Sequence, residues 1–336
     1  MIKQAFIIAE IGQAHEGSLG ILHSYIDAVA ETGVDAIKFQ THIADAESSI
    51  DEPFRVKFSY EDDTRFAYWR RMEFTPNQWK GIKTHCDEVS LEFISSPFSN
   101  AAVDLLESLE VKRYKIGSGE VTNFLMLEKI AHTGKPIILS SGMSSFAELD
   151  EAVDFIRIFG NDLTVMQCTT AYPTPPENVG LNVIRELKAR YPDVTIGLSE
   201  HTGKIYACLA AVALGAKVLE FHAVFDRRMF GPDSTSSLEI DEIKQLVEGV
   251  RSIEASLANP IDKTDNSEYK ELKNIFEKSL AINKNLLTGH ILTFNDLEAK
   301  KPANYGISAS DFRNVIGKKL SRSKNRFDFL TQEDII

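Results

Sequence analysis

Two lysines lie inside short apolar segments of the sequence, where a charged side chain is costly to bury without an anionic partner. Lys38 belongs to the segment 36–39 and Lys115 to the segment 113–116. A bound anion would provide a partner for both. A buried salt bridge to Glu10 or Glu120 is the alternative, and the sequence leaves the two explanations open.

Hydroxyl groups and glycines follow three successive apolar segments, as Ser96, Ser118-Gly119 and Ser140-Ser141-Gly142. Serine hydroxyls and glycine amides are uncharged donors that suit phosphate or carboxylate oxygens. Combined with the two lysines, they predict an anion-binding site.

Two histidines, His201 and His222, end neighbouring apolar segments. Two neutral imidazoles with open positions for water or substrate would suit a divalent metal that acts as a Lewis acid. A histidine satisfied in the core or at the surface is the alternative for each. His15, His42, His85, His132 and His290 lack such a pairing, and we expect His85, His132 and His290 at the surface.

Predicted strands and helices alternate along the chain, and they must position these residues. Strands are predicted at 6–11, 36–39, 91–95, 113–116, 136–139, 163–167, 194–198 and 218–222. Helices are predicted at 19–32, 76–89, 99–109, 123–133, 145–159, 181–191, 204–214 and 239–256. Eight strand–helix units predict an α/β fold, the (β/α)8 TIM barrel, in which active sites lie at the carboxyl ends of the strands. A doubly wound open sheet is the runner-up, disfavoured by the count of eight and the lack of a GxGxxG turn.

Composition narrows the class of protein. The 336 residues are 43% hydrophobic and 26% charged, as in soluble globular proteins. A net charge of -12 argues against nucleic acid and anionic membranes as partners and, taken alone, against a phosphorylated substrate. The three cysteines show no CxxC spacing, and no apolar window approaches membrane-spanning length. We therefore expect a cytoplasmic protein without a signal peptide or membrane segment.

The pattern changes near Asn259-Pro260, where a polar stretch begins. Residues 271–336 hold 11 basic and 8 acidic side chains, a charge of +3, whereas the first 270 residues carry -15. We predict a barrel at 1–258, a linker at 259–272 and a compact C-terminal domain at 273–336.

A second irregular segment, 41–75, is a long charged connection after the second strand and contains Arg55, Lys57, Arg65, Arg70 and Arg71. Such connections are often functional on barrels, although a solvated surface excursion is the alternative.

The segments at the predicted strand ends also resemble a known family, the sialic acid synthases, which include N-acetylneuraminate, legionaminate and pseudaminate synthases. The resemblance covers essentially the whole chain. It is carried by Ala9-Glu10-Ile11-Gly12, Ile37-Lys38-Phe39-Gln40, Lys115-Ile116-Gly117-Ser118, 140–143, Tyr172-Pro173, His201 and Glu220-Phe221-His222. The segment 297–307 resembles that family's antifreeze-like (SAF, β-clip) domain.

The resemblance implies condensation of phosphoenolpyruvate with the open-chain aldehyde of an N-acetylated amino sugar, giving a nonulosonic acid and phosphate for polysaccharide biosynthesis. Residues implied to bind phosphoenolpyruvate are Lys38, Ser96, Lys115, Ser118, Ser140, Thr170 and Tyr172, and Glu10, Lys38 and Lys115 are the implied catalytic residues. Residues implied to contact the sugar are Gln40, Glu120, Tyr172, Asp233 and Lys301. His201 and His222 would hold Mn2+ or Mg2+, supported by Glu220, and the family further implies a domain-swapped homodimer.

Several positions depart from the family pattern. The usual Asn-His-Asn or Asn-His-Asp run is Ala14-His15-Glu16, Thr170 stands where Asn commonly precedes Tyr-Pro, and Lys-Arg-Pro-Gly becomes Lys300-Lys301-Pro302-Ala303. Lysine lacks the planar fork of arginine, so Lys301 is not equivalent to the family's sugar-binding arginine. The departures concern the acceptor, for which N-acetylmannosamine and a modified 2,4-diacetamido hexose both stay open.

Two other functions compete with the synthase. One is a metal-dependent aldolase or hydrolase on the same barrel that does not use phosphoenolpyruvate. The other is a non-catalytic glycan-binding protein, which the presence of both histidines and both lysines disfavours.

Overall fold

A computed structural model describes residues 4–56 and 60–336, so Lys57 of the long connection lies outside the described residues. Contacts between residues divide the chain into two compact units, Met1–Asn259 and Pro260–Ile336. Among the described residues, no helix is long and apolar enough to cross a membrane.

The first unit contains eight parallel strands that form the predicted TIM barrel. They are β1 Phe6–Glu10, β2 Ala36–Thr41, β3 Glu92–Pro97, β4 Tyr114–Ile116, β5 Ile137–Ser140, β6 Leu163–Cys168, β7 Thr195–Glu200 and β8 Val218–Val224. Hydrogen-bonded ladders connect them in the order β3-β2-β1-β8-β7-β6-β5-β4, and β3 and β4 come together at the remaining junction. The short strand β9, Leu238–Glu239, pairs parallel with the last two residues of β8.

The helices surround the barrel. They are α1 Leu19–Ala30, α2 Ala44–Glu47, α3 Arg65–Met72, α4 Pro76–Glu88, α5 Asn100–Ser108, α6 Phe124–Ala131, α7 Phe146–Phe159, α8 Leu181–Arg190, α9 Tyr206–Ala213 and α10 Ile240–Ala258. Hydroxyl and amide side chains before many of them accept hydrogen bonds from the first-turn amides, which satisfies otherwise unpaired donors. These capping residues are Ser18, Thr64, Thr75, Ser99, Asn123 and Ser145.

The strands alternate between two environments, as the two-residue period of β structure requires. Ile7 and Ala9 of β1 pack outward among the helix side chains, whereas Ile8 packs inward. The inward cluster fills the barrel interior and forms an apolar floor made of Ile8, Ala36, Ile94, Ile138, Met166 and Val218. Two residues further along the same strands the inward side chains become polar or charged, so the site lies directly above this floor.

The connection between β2 and α4 is more ordered than the sequence indicated. It contains α2 and α3, and it packs its own small cluster of Tyr68, Trp69 and Met72 with Ala44. Arg71 of α3 binds Asp62 within the connection and Glu16 in the loop after β1, with an Nη1–Oε2 distance of 3.0 Å to Glu16. The connection is therefore anchored to the barrel rim.

The second unit is small and irregular. Helix α11 Lys270–Phe276 begins in the last residues of the predicted linker and continues into the predicted C-terminal domain, and strands β10 Ser279–Ile282 and β11 Leu297–Lys300 pair antiparallel. Its core contains Leu280, Ile282, Leu286, Leu292, Ile307, Val315, Leu320 and Leu330.

Two Thr-x-x-Asp turns of the same form stabilise the second unit. Asp296 accepts hydrogen bonds from the amide and hydroxyl of Thr293, and Asp334 does the same with Thr331. Both carboxylates are almost fully buried, and Lys324 lies 2.8 Å from Asp334. Burial opposes their ionisation, but Lys284 and His290 beside Asp296 and Lys324 beside Asp334, together with the threonine donors, hold the pKa of each carboxyl below its ordinary value.

We expect Ile138→Ala to lower the free energy of unfolding of the barrel by about 2–5 kcal/mol, because it leaves a cavity in the apolar floor. Ile158→Ala is the matched control: this side chain is 79% exposed on α7, and its loss should change stability by less than about 0.5 kcal/mol. Trp69 and Trp79, the two tryptophans, both lie in the barrel unit, so their fluorescence during urea unfolding measures this unit alone. If both substitutions changed the free energy of unfolding equally, Ile138 would not be part of a packed apolar floor.

The second unit should lose stability on acidification. A carboxyl whose pKa is lowered by folding stabilises the fold fully above its unfolded pKa, roughly 4, and that contribution disappears as the pH falls through the lowered value. Asp334→Asn should therefore reduce hydrogen-exchange protection of residues 279–336 at neutral pH, with a smaller difference from wild type in acid. Glu298→Gln, at an exposed position of β11, should leave protection unchanged at both pH values. A pH-independent effect of Asp334→Asn would contradict this account.

Candidate active site

Four charged side chains from four strands meet just above the apolar floor. Lys38 Nζ lies 2.9 Å from Glu10 Oε2 and 3.4 Å from Glu220 Oε2, and Lys115 Nζ lies 3.0 Å from Glu220 Oε1. Each of these side chains is at most 4% exposed. We call Glu10, Lys38, Lys115 and Glu220 the charged quartet. Lys38 thus has the salt bridge to Glu10 that the sequence left open, but Lys115 pairs with Glu220 and not with Glu120.

The two lysines are not equally compensated. Burial opposes the charge of Lys38, but its two carboxylate partners raise its pKa above the ordinary value. Burial and the nearby positive charge of Lys38 lower the pKa of Lys115, and its close carboxylate partner Glu220 only partly opposes this. An additional anion would therefore stabilise the positive charge of Lys115 more than that of Lys38.

Uncharged donors border the quartet. Ser96 Oγ lies 3.5 Å from Lys38 Nζ, and the Ser140 hydroxyl is buried without a hydrogen-bond partner among the described residues. The Gly142 amide donates to Ser118 Oγ at 3.0 Å. A Cβ at Gly142 would lie 2.4 Å from Thr170 Oγ1 and 2.6 Å from Ser118 Oγ, so only glycine fits between these side chains.

The two predicted metal ligands lie next to each other above the quartet. The ring centroids of His201 and His222 are 5.4 Å apart, and His201 Nδ1 lies 2.9 Å from the Thr169 carbonyl oxygen. That contact leaves His201 Nε2 as the available ligand atom. Among the described residues, no group of three His, Cys, Asp or Glu side chains is arranged to hold a metal ion.

Glu220 lies below the two histidines. Its oxygens contact the two lysines and the Ser199 hydroxyl, since Glu220 lies two residues before His222 on β8 and therefore one layer deeper in the barrel. The carboxylate beside His222 is Glu10, with a distance of 3.5 Å between Oε2 and Nε2. Support of a metal site by Glu220 stays a prediction.

All these side chains open into one cavity of about 930 Å³ at the carboxyl ends of the strands. Its lining includes every predicted site residue of the barrel: Glu10, Lys38, Gln40, Ser96, Lys115, Ser118, Glu120, Ser140, Thr170, Tyr172, His201, Glu220, His222 and Asp233. Lys301 belongs to the second unit, where its Nζ lies 4.8 Å from the centre of the Phe276 ring. Its role stays a prediction.

Part of the cavity wall comes from the 41–75 connection. Arg55 lies 4.5 Å above the Tyr172 ring and 3.6 Å from Asp233 Oδ1. Arg65 lies 3.9 Å above the Trp69 ring. Arg55, Arg65 and Trp69 line the cavity, so this part of the connection contributes to the site.

Sequence reasoning missed several lining residues. Gln13, His42 and Glu47 form hydrogen bonds with one another or with Gln40 at the cavity wall. The sequence assigns no role to His42, although it follows Gln40 by two positions, directly after the end of β2, and an extended chain places such side chains on the same side. That spacing was the available signal. His132 is exposed as expected, while His85 and His290 are half-buried.

Comparison with known proteins places this geometry in a family. The profile of the NeuB family matches residues 25–262. The chain is 37% identical to N,N'-diacetyllegionaminic acid synthase of Campylobacter jejuni, over 94% of this chain and 96% of that protein. It is 35% identical to human N-acetylneuraminate-9-phosphate synthase, over 98% and 92% of the two chains.

Solved structures agree with these relatives. A spore coat polysaccharide biosynthesis protein of Bacillus subtilis superposes with a TM-score of 0.67 at 28% identity and covers 100% of this chain and 96% of its own. An N-acetylneuraminic acid synthetase of Leptospira borgpetersenii gives a TM-score of 0.70 at 27% identity and covers 80% and 90% of the two chains. The resemblance inferred from the strand-end motifs is confirmed: this chain belongs to the NeuB family.

Proposed function

We propose that this protein condenses phosphoenolpyruvate with the open-chain aldehyde of an N-acetylated amino sugar and releases phosphate and a nonulosonic acid. Relatives named as legionaminic acid, N-acetylneuraminate-9-phosphate and pseudaminic acid synthases support this proposal, each matched over more than nine tenths of both chains. The observation within the chain that supports it most is the charged quartet.

The negative charges of phosphoenolpyruvate match the two lysines in the lower half of the cavity. It carries a phosphate and a carboxylate, and Lys115 and Lys38 are two cations that line the cavity and are each only 2% exposed. The unpartnered Ser140 hydroxyl and the Ser96 hydroxyl add neutral donors at the same level. Charge-assisted hydrogen bonds in such a dry site are stronger than in water, which suits binding of a small, highly charged donor.

The reaction forms one carbon–carbon bond. C3 of phosphoenolpyruvate attacks the aldehyde carbon, whose oxygen takes up a proton and becomes a hydroxyl. Water adds to C2, and the bond between C2 and the phosphate oxygen then breaks to release inorganic phosphate. Glu10 stays ionised: burial opposes its charge, but Lys38 and His222 hold its pKa below the ordinary value. Its carboxylate can therefore stabilise positive charge that develops at C2.

A divalent metal, Mn2+ or Mg2+, is part of the proposal. The donor set fits in type, since His201 and His222 present two imidazoles and Glu10 adds a carboxylate 3.5 Å from His222. A metal bound there would polarise the aldehyde oxygen and compensate its developing negative charge. Water and the acceptor would complete its coordination.

The acceptor would occupy the upper half of the cavity, where Gln40, Glu120, Tyr172 and Asp233 line the wall. N-acetylmannosamine and a 2,4-diacetamido hexose are both candidates. We also propose that residues 273–336 are an SAF domain with Lys301 near the sugar, and that the chain acts as a cytoplasmic homodimer. These assignments rest on the resemblance described above.

The function is tested by phosphate release. Purified protein should release phosphate from phosphoenolpyruvate only in the presence of Mn2+ or Mg2+ and a suitable N-acetylated amino sugar, and mass spectrometry should detect the nonulosonic acid formed. A panel should contain N-acetylmannosamine, its 6-phosphate and 2,4-diacetamido-trideoxyhexoses. Binding of metal and phosphoenolpyruvate without turnover of any sugar would contradict the proposal and favour an aldolase or hydrolase.

Binding of phosphoenolpyruvate should depend on the quartet. Lys115→Met should raise the Kd for phosphoenolpyruvate about 100-fold, because a charge-assisted contact of about 3 kcal/mol is lost. The double variant Lys115→Met/Glu220→Gln removes the pair together and guards against misfolding. Lys129→Met is the matched control, since Lys129 pairs with Asp104 on the outer helices. Calorimetric titration with phosphoenolpyruvate measures the Kd of all three variants. An unchanged Kd in the folded Lys115 variants would contradict binding of phosphoenolpyruvate at the charged quartet.

A further inference from the structure

Glu120 presents a carboxylate at the cavity wall, and one neighbouring side chain holds it. Its Oε2 accepts a hydrogen bond from Asn123 Nδ2 at 2.7 Å. Among the described residues, this is the one hydrogen bond of the carboxylate. Glu120 is half-buried and lines the cavity, so a ligand in the cavity can reach it. The direction of this carboxylate therefore depends on Asn123.

The backbone brings the two residues together. Glu120 ends the short 3-10 turn Ser118–Glu120 that follows β4, and the backbone N–H of Asn123 donates to the Glu120 carbonyl oxygen at 3.0 Å. The two residues are three positions apart on a turn, a spacing that places their side chains on the same side of the chain. The contact is therefore local, and the turn that joins β4 to α6 determines it.

Helix α6 fixes which end of the Asn123 side-chain amide faces Glu120. Asn123 is the N-cap of α6, and its Oδ1 accepts from the Met126 backbone N–H at 3.2 Å. A backbone N–H only donates and an ionised carboxylate only accepts, so Oδ1 faces the helix and Nδ2 faces Glu120. The reverse orientation would place two donors together and two acceptors together. Both ends of this side chain thus have partners that cannot exchange roles.

The same hydrogen bond affects the charge of Glu120. Burial and the nearby charge of Glu47 raise the pKa of the Glu120 carboxyl above its ordinary value, and the side-chain amide of Asn123 opposes this shift. A donor that binds the ionised form of a carboxyl favours that form. Asn123 therefore favours both the position and the ionisation of this carboxylate.

We propose that Asn123 is a positioning residue, which holds the Glu120 carboxylate toward the acceptor while it caps α6. One oxygen of Glu120 is used by Asn123, and the other accepts a hydrogen bond from a hydroxyl or amide N–H group of the acceptor. This inference rests on the proposed function in one respect, namely that the acceptor binds beside Glu120. It gives Asn123 a role in acceptor affinity that helix capping alone does not require.

Two substitutions separate positioning from capping. Serine and aspartate are both good N-cap residues, so Asn123→Ser and Asn123→Asp keep an acceptor oxygen for the Met126 N–H. Neither side chain has an amino group that can donate to Glu120. Asn123→Asp also places a second carboxylate beside Glu120, and the two like charges repel. Both variants should retain α6, measured by circular dichroism and Tm, but release the Glu120 carboxylate.

The first measurement is the pKa of Glu120, followed by 13C NMR of the side-chain carboxyls in the full chain. Glu120→Gln identifies the signal by its loss. We expect a higher pKa in Asn123→Ser than in wild type, because a donor to the ionised form is lost. This measurement needs no substrate, so it separates failure of the contact from failure of the proposed function. An unchanged pKa in Asn123→Ser would overturn the proposal.

The second measurement is steady-state kinetics. Asn123→Ser should raise the acceptor KM about tenfold, the value of one hydrogen bond lost, and leave the KM for phosphoenolpyruvate unchanged. Asn123→Asp should raise the acceptor KM at least as much. Thr75→Ala is the matched control, because Thr75 caps α4 by accepting from the Gln78 N–H and lies outside the cavity lining. It removes a cap without changing Glu120 and should match wild type in both constants.

The aspartate variant distinguishes the two roles most clearly. A residue that only caps α6 can be replaced by aspartate without loss, so a wild-type acceptor KM in Asn123→Asp would overturn the proposal. Equal increases in both KM values in Asn123→Ser would overturn it as well, because they would indicate a general disturbance of the cavity.

Discussion

The site depends on burying four ionised side chains in the interior of a barrel. Removing one partner from a buried pair typically costs about 3–5 kcal/mol, so Glu10, Lys38, Lys115 and Glu220 must be brought together by the fold. The ladder register does this: Glu10 lies opposite Lys38 of β2 on one side and His222 of β8 on the other. A slip of one residue in any of these strands would turn its charge toward the helices. The apolar floor beneath the quartet excludes water and makes each of these contacts stronger.

This arrangement divides the cavity into two chemical levels. The lower level is buried, and Lys115 has a single close carboxylate partner there, which suits a compact anion. The upper level combines imidazoles, amides and carboxylates from strand ends with the wall built by the 41–75 connection. Glu10 belongs to both levels, because it binds Lys38 below and contacts Gln40 and His222 above. In the proposed reaction, this shared carboxylate lies where the donor meets the acceptor.

Much of this could be predicted from sequence, because the period of the apolar residues determines both the strands and the direction of their side chains. The predicted strand ends lie within two residues of the observed ones, and Lys38, Lys115, His201 and His222 were recognisable as polar residues at those ends. The short helices α2 and α3 were missed, since neither is long enough to show a helical period. The contacts of Glu220 and the hydrogen bonds of His42 to Gln13, Gln40 and Glu47 depend on distances between elements that no local pattern records. The net charge of -12 was misleading for the same reason, as it averages over the surface and says nothing about two buried lysines.

The most direct test of this account is a crystal structure of the protein with phosphoenolpyruvate bound. The account predicts that the anionic groups of the ligand contact Lys115 Nζ, Lys38 Nζ and the Ser140 hydroxyl above the apolar floor. Phosphoenolpyruvate bound elsewhere, with both ammonium groups contacting only Glu10 and Glu220, would contradict it.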